Sequence, residues 1–112
     1  MVPSSAGAVV MVPFPFSDLS RTKLRPAAVL ADAGRGDWVL CQITSNPYAD
    51  PCAARLDSMD FAAGSLQVTS YARPGKLFTA NISLIASEIG PLAPAAFERV
   101  LQAVIGLPDP PT

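Results

Sequence analysis

Twelve prolines are distributed along this chain of 112 residues, and they constrain its fold more than any other feature of the sequence. A proline cannot donate a backbone hydrogen bond, so it is disfavoured in helix interiors and in central positions of a sheet. Because the prolines are spread out, they indicate strand edges and turns and not a disordered tract. Half of the residues are hydrophobic, enough for one modest core. We therefore expect a single domain.

Apolar residues at period two predict short strands between the proline and glycine turns. The first strand spans residues 8–16, with four side chains on one face, those of Val10, Val12, Phe14 and Phe16. Pro13 and Pro15 predict that this strand bends or lies at a sheet edge. Further strands are predicted at residues 25–31, 38–44, 54–56, 66–71 and 76–79, with a glycine-rich turn at 32–37 and another near Gly64.

The C-terminal part of the domain has a helical pattern instead. Apolar residues recur at helical spacing, namely Phe97, Val100, Leu101, Val104 and Ile105. Pro94 suits the first turn of this helix, and Gly106 before Pro108 suits its end. The sequence thus predicts a mainly β, α+β fold: a small antiparallel barrel with a C-terminal helix packed on it. We expect a flexible tail over residues 1–6, the domain over 7–107 and a short tail over 108–112.

The chain contains no histidine. This excludes Ser-His and Cys-His nucleophile schemes and the most common zinc ligand, so neither a metal nor another cofactor is expected. The formal net charge of −1 argues against a generally basic nucleic-acid-binding protein, although a local basic cleft is compatible with it. Cys41 is expected to be a buried thiol and Cys52 a loop thiol, without a disulfide between them. No segment resembles a signal peptide or a membrane span, and we expect a cytoplasmic protein.

Two positions are candidates for chemistry. Pro26 holds Arg25 in an extended conformation at the mouth of a strand, after a polar loop. Thr44 and Ser45 end the third strand, where side chains meet solvent. Each position also has a structural interpretation, since Arg25 can be an ordinary strand-end arginine and the two hydroxyls can cap or turn the chain.

Four blocks in order resemble the MazF/PemK family of bacterial toxin endoribonucleases. They are VPFPFSD at residues 12–18, KLRPAAVL at 23–30, QITS at 42–45, and GSL at 64–66 with SYARPGKLFT at 70–79. The resemblance runs from Gly7 to about Leu107 and is weakest over residues 50–61. Ala8 departs from the family, in which many members carry aspartate after the glycine; this affects the start of the first strand more than the site.

The resemblance implies an SH3-like barrel that forms a homodimer, cuts single-stranded RNA without metal and is blocked by an antitoxin. It places the catalytic arginine on Arg25 and the catalytic hydroxyl on Thr44, although Ser45 is adjacent and the assignment can slip by one. The loop from Asp18 to Lys23 corresponds to the segment that flanks the RNA groove. Candidates for binding the RNA are Asp18, Arg21, Lys23, Ser45, Arg73 and Lys76, and the four cations among them are otherwise ordinary solvated charges.

RNA carries its own nucleophile, so this chemistry requires no histidine. The 2′-OH attacks the adjacent phosphorus and leaves a 2′,3′-cyclic phosphate and a 5′-OH, while a guanidinium stabilises the phosphoryl oxygens. Two other functions remain open at this point. A barrel toxin can bind a protein target such as DNA gyrase without cutting RNA, or the chain can be a dimeric scaffold without activity.

Overall fold

The computed structural model describes residues 5–15, 22–47 and 49–108 of the chain. The expected tails, residues 1–6 and 108–112, lie largely outside these ranges. Phe16, which we predicted on the apolar face of the first strand, also lies outside them.

The described residues form one antiparallel sheet and one α-helix. The strands are β1 (Ala8–Pro15), β2 (Thr22–Gly34), β3 (Asp37–Thr44), β4 (Ala54–Leu56), β5 (Ser70–Asn81) and β6 (Ser87–Pro91), and the helix α1 spans Pro94–Ile105. Short 3₁₀ helices occupy Ser58–Asp60 and Ile82–Leu84. The strand order is β4-β5-β3-β2-β1-β6. This confirms the predicted mainly β fold with a C-terminal helix.

Two parts of the predicted strand pattern are wrong. Residues 66–69 belong to no regular strand, and one continuous strand, β5, replaces the two strands predicted at 66–71 and 76–79. The sheet accommodates Pro74 and Gly75 as an irregularity within β5, so these residues do not end the strand. The pattern also missed β6, because its sequence SEIGP has no apolar alternation and its pairing with β1 is a tertiary contact.

The sheet curls until its two ends approach each other. The segment that follows β4 runs beside β6, where Phe61 and Leu92 form an isolated bridge. The amide of Ala62 donates to the carbonyl of Pro91 at 2.9 Å, and the amide of Ala93 donates to the carbonyl of Asp60 at 2.7 Å. These bonds satisfy backbone groups that an open sheet would leave unpaired, and they turn the sheet into a nearly closed barrel.

The sheet buries apolar residues on both faces. One cluster lies between the sheet and α1 and includes Val9, Cys41, Ile43, Leu56 and Val100. The other cluster lies on the opposite face and includes Val10, Val12, Val29, Leu40 and Ile85. Neighbouring residues of β1 and β3 therefore enter different clusters, as the alternation of side chains along a strand requires. The expected burial of Cys41 is confirmed.

Helix α1 has the predicted boundaries. Pro94 lies in its first turn and Gly106 is its C-cap. Ala96 and Val100 are buried against the sheet, whereas Ile105 is 73% exposed and does not belong to the packed stripe that we predicted. Arg99 ties the exposed side of the helix to the rest of the domain, because its guanidinium lies 2.9 Å from the Asp60 carboxylate and donates to the carbonyl of Arg55.

The prolines of β1 lie where the strand has a partner on one side only. β1 pairs with β2 along most of its length, but β6 pairs only with residues Ala8 to Met11. The carbonyl of Met11 accepts from the amide of Ala86 at 2.9 Å, so the backbone groups of Met11 face the β6 side. Backbone groups of alternate residues point to the same side of a strand, so those of Pro13 and Pro15 also point to the β6 side, beyond the end of β6. The expected edge position of these prolines is thus confirmed for one half of the strand.

Candidate functional site

The pairing of β2 with β3 stops short of the ends of the two strands. Its last pair is Ala27 with Gln42, immediately after Pro26. The nitrogen of Pro26 carries no hydrogen and cannot donate to a ladder. β2 continues along β1 as far as Thr22, while β3 continues along β5 as far as Thr44. The strand ends therefore diverge, each held by its other neighbour.

A cleft of about 200 Å³ opens between these diverging ends. We call it the β2–β3 cleft. Strands β2 and β3 form two of its walls, and the segment before β5 forms the third; the lining residues are Lys23, Leu24, Arg25, Pro26, Ile43, Thr44, Ser45, Leu66, Gln67, Val68 and Ser70. The cleft brings together Arg25 and Thr44, the two residues that the sequence resemblance singles out, with Lys23 and Ser45.

The charge of the β2–β3 cleft is positive. Lys23 and Arg25 alternate with the apolar residues of β2, and none of the described lining residues is acidic. Arg25 is half-buried and Lys23 is exposed. An arginine held on a paired strand presents a planar fork of donors that matches the oxygens of a phosphate or a carboxylate. The cleft is thus suited to an anionic ligand, although the chain as a whole has a net charge of −1.

Thr44 and Ser45 present two hydroxyls in different surroundings. The side-chain oxygen of Thr44 accepts a hydrogen bond from the amide of Asn46 at 3.2 Å, and Thr44 is only 5% exposed. This bond is the turn-forming role that the sequence left open, but it uses a lone pair and leaves the hydroxyl hydrogen able to donate. Ser45 is exposed at the mouth of the cleft. Both hydroxyls therefore remain candidates, with Thr44 the more rigidly held of the two.

The other predicted binding residues lie elsewhere. Arg73 and Lys76 are on β5 and do not line the β2–β3 cleft. The Nε of Arg73 lies 3.3 Å from the carboxylate of Asp50, in a largely buried ion pair. Lys76 is exposed. Asp18 and Arg21 lie outside the described residues, in the loop between β1 and β2.

Sequence reasoning missed the third wall of the cleft. Gln67 and Val68 line it, and Val68 is 61% exposed. Ser70 is held in place by a hydrogen bond from its hydroxyl to the carbonyl of Val68 at 3.0 Å. The available signal was the family resemblance, whose blocks at residues 64–66 and 70–79 flank this wall and contribute Leu66 and Ser70 to it.

A second depression, of about 290 Å³, is apolar and lies between β1 and β5. Its lining includes Phe14 and Phe78, whose ring centroids are 4.6 Å apart, and no ionisable side chain among the described residues. Within the described ranges, no three side chains of the histidine, cysteine, aspartate and glutamate types come together as a metal site. No helix in those ranges is both long and apolar enough to cross a membrane. The β2–β3 cleft is thus the better candidate for chemistry.

Comparisons with known proteins identify the fold. No protein-family model matches the sequence, and no curated protein matches it either. Among solved structures, MazF from Deinococcus radiodurans is 19% identical, with 93% of this chain and 94% of that chain covered and a TM-score of 0.65. The Mycobacterium tuberculosis toxin MazF-mt6 is 14% identical, with 85% and 91% covered and a TM-score of 0.63.

A third similar structure is a chain of an endoribonuclease in complex with its cognate antitoxin, from a mycobacterial species. It is 19% identical, with 98% of this chain and 100% of that chain covered and a TM-score of 0.67. All three likenesses extend over most of both chains. The resemblance to MazF/PemK toxins that the sequence predicts is therefore confirmed at the level of the fold.

Proposed function

We propose that this protein is the toxin of a toxin–antitoxin pair and that it cleaves single-stranded RNA at short sequences without a metal ion. The observation that carries the proposal is the β2–β3 cleft, in which Arg25 and Thr44 line one positively charged opening. The two residues lie 19 positions apart on different strands, and the family resemblance selects the same pair. A MazF-like fold over nearly the whole chain supports the same conclusion.

The nucleophile in this proposal belongs to the substrate. The 2′-oxygen attacks the adjacent phosphorus and loses its proton to solvent, the bond from phosphorus to the 5′-oxygen breaks, and that oxygen takes up a proton. The products are a 2′,3′-cyclic phosphate and a 5′-OH. The protein has to hold the RNA backbone so that attack is in line with the leaving oxygen and to stabilise charge on the phosphoryl oxygens.

Arg25 is suited to the second task. A guanidinium carries only hydrogen-bond donors and no acceptor, so Arg25 donates to the phosphoryl oxygens and toward the leaving oxygen and does not act as a base. Thr44 donates a further hydrogen bond to the same phosphate. Lys23 and Ser45, at the mouth of the cleft, bind the adjoining backbone, and the exposed Gln67 and Val68 contact an unstacked base.

The partners follow from the same comparison. In the mycobacterial structure an endoribonuclease is bound to its cognate antitoxin. We propose an antitoxin for this chain as well, and a homodimer as the active form, as in the family that it resembles. Asp18 and Arg21 remain proposed RNA contacts from the loop between β1 and β2.

The test is direct. The purified protein is incubated with a long single-stranded RNA in EDTA, beside Arg25→Ala and beside Arg35→Ala, which removes an exposed arginine from the β2–β3 turn. We expect discrete cuts with 5′-OH ends from the wild type and from Arg35→Ala, and none from Arg25→Ala. Mapping the ends also gives the recognised sequence.

Two results would contradict the proposal. Cleavage that EDTA abolishes and magnesium restores would exclude the metal-free reaction. RNA that stays intact with folded protein free of antitoxin would favour a non-catalytic function, and trapping of DNA gyrase on DNA by the same sample would identify the gyrase-binding alternative. A protein that does neither would be the inactive scaffold.

A further inference from the structure

Arg73 begins a bulge in β5. The pairing of β3 with β5 passes from Cys41 with Leu77 to Ile43 with Ala72, so four residues of β5, numbers 73–76, lie opposite Gln42 alone. Such a bulge removes backbone groups from the ladder and bends the strand. The bulge lies opposite Gln42, two residues before Thr44, and the ladder resumes on its far side with Ile43 and Thr44, which both line the β2–β3 cleft.

Cys41 fixes the first residue of the bulge from the other strand. Its thiol donates to the carbonyl of Arg73, with sulfur and oxygen 3.2 Å apart. Burial raises the pKa of this thiol to about 12, so it keeps its proton and remains a donor at neutral pH. The carbonyl that the bulge takes out of the ladder is thereby satisfied.

The side chain of Arg73 extends from the bulge to the loop that follows β3. Its Nε lies 3.3 Å from Oδ2 of Asp50, and the two side chains are only 19% and 16% exposed. The other carboxylate oxygen of Asp50 accepts from the amide of Cys52 at 2.9 Å. One carboxylate therefore joins β5 to the far end of loop 45–53, in largely buried surroundings where breaking an ion pair is costly.

The near end of the same loop carries the proposed chemistry. Thr44 is the last residue of β3, directly before this loop, and its hydroxyl oxygen accepts a hydrogen bond from the amide of Asn46. The described residues of this loop, 45–47 and 49–53, are thus anchored near both ends, which restricts the movement of the residues at its start. A displacement of about 1 Å at a reacting group can lower a rate roughly 10²-fold.

We infer that Arg73 and Asp50 are positioning residues: their ion pair holds loop 45–53 on the β5 bulge and thereby fixes Thr44 and Ser45 in the β2–β3 cleft. This inference rests on the proposed function. Arg73 acts through Thr44 in this arrangement and has no need to touch RNA, which differs from the RNA-binding role that the sequence analysis predicts for it.

The experiment compares Arg73→Met, Asp50→Asn and the double variant in steady-state cleavage of a short RNA that contains the mapped site. Arg35→Met is the charge-matched control. We expect each single variant to lower kcat about 10-fold to 10²-fold, the range for a displaced reacting group, with KM changed less than about threefold. The double variant is expected to be no worse than the singles, because both remove the same contact. Arg73→Lys, which keeps the charge, is expected to recover part of the loss.

The opposite pattern would show a direct phosphate contact. In that case Arg73→Met would raise KM and reduce the salt dependence of RNA binding by about one phosphate, while Asp50→Asn would behave like the wild type. That result would overturn the inference. Additive losses in the double variant would overturn it as well.

A second measurement does not depend on RNA. Amide hydrogen exchange at Asn46 and Cys52 is expected to be at least about 10-fold faster in Asp50→Asn than in the wild type, since local opening sets exchange rates. Amides of β1 serve as the internal reference for global stability. Unchanged exchange at both positions would overturn the inference even if cleavage is observed. If exchange is faster in Asp50→Asn but the wild type cuts no RNA, the anchoring of the loop by Asp50 is supported and only the proposed function is rejected.

Discussion

Arg25 on β2 lies opposite Thr44 on β3 when the antiparallel register of Ala27 with Gln42 is continued by two residues. The ladder itself has ended at that point, after Pro26, and the two side chains line an open cleft. Alternation places both on the sheet face of Ala27 and Gln42. The register thus places an arginine and a hydroxyl on one sheet face and on opposite walls of the cleft, each on a strand that is paired with its other neighbour.

Replacement of Arg25 tests the charge-stabilising role. Arg25→Ala is expected to lower the cleavage rate about 10²–10³-fold, the usual loss for a single donor to a developing oxyanion. Arg25→Lys keeps the charge but not the planar fork, so we expect partial activity. Rates at saturating RNA and thermal unfolding are measured together. An Arg25→Ala protein that unfolds would show that the residue is structural.

Replacement of Thr44 tests which hydroxyl acts. Thr44→Val has nearly the same shape but loses the hydroxyl. The variant therefore lacks the hydrogen that is proposed to donate to the phosphate and the oxygen that accepts from the amide of Asn46. We expect a rate loss of about 10²-fold or more and a stability loss of about 1 kcal/mol. Thr44→Ser is expected to retain most activity. Ser45→Ala is the matched comparison, and a larger loss there than in Thr44→Val would move the catalytic hydroxyl to Ser45.

The closure of the barrel depends on two glycines that cross at close range. A Cβ on Gly64 would meet the carbonyl oxygen of Ile89, and one on Gly90 would meet that of Ala63. Gly64 also has a φ of +67°, which disfavours other residues. Gly64→Ala and Gly90→Ala are each expected to destabilise the fold by about 1–3 kcal/mol or more in urea unfolding. Gly75→Ala has open space around its Cβ and is the control; an equal loss there would contradict the role of the crossing.

Cys41 predicts a loss of stability at high pH. Burial raises the pKa of its thiol from the ordinary value of 9.0 to about 12 in the folded protein, and the thiol regains the ordinary value when the chain unfolds. Between these values the folded state binds more protons than the unfolded state, so the free energy of unfolding falls as pH rises. The slope contributed by one thiol is at most about 1.4 kcal/mol per pH unit.

Urea unfolding followed by the fluorescence of Trp38, between pH 8 and 11, measures this slope. Cys41→Ala is expected to be less stable at neutral pH but to lose less stability over this range. Cys52→Ala, which removes the half-buried loop thiol, is the matched control. Parallel slopes in the wild type and in Cys41→Ala would show that Cys41 does not contribute.

The sequence was sufficient for elements whose pattern is local. Strands β1 to β3 follow from alternation, and α1 follows from helical spacing between Pro94 and Gly106. It was insufficient for elements that form because a neighbouring strand of the sheet pairs with them. Strand β6 exists because β1 offers a partner, and β5 runs through Pro74 and Gly75 because its neighbour β3 continues past them.

The candidate site divides in the same way. Arg25 and Thr44 came from a resemblance carried by short blocks, and the cleft brings them together. The wall formed by Gln67 and Val68 comes from a segment with no regular structure, which has no periodicity to reveal it. The contact of Arg73 with Asp50 joins positions 23 residues apart. Nothing in the local sequence distinguishes that buried arginine from a solvent-exposed one.

The placement of Pro13 and Pro15 determines how this protein can meet other chains. The backbone groups of both residues point to the side of β1 that β6 leaves uncovered. At these two positions the edge therefore offers carbonyl acceptors but no amide hydrogens. An incoming strand could form only half of a ladder there, and continuous addition of further strands, as in fibrils, is blocked. A partner that docks on this edge can donate to these carbonyls, and it has to make its remaining contacts through side chains.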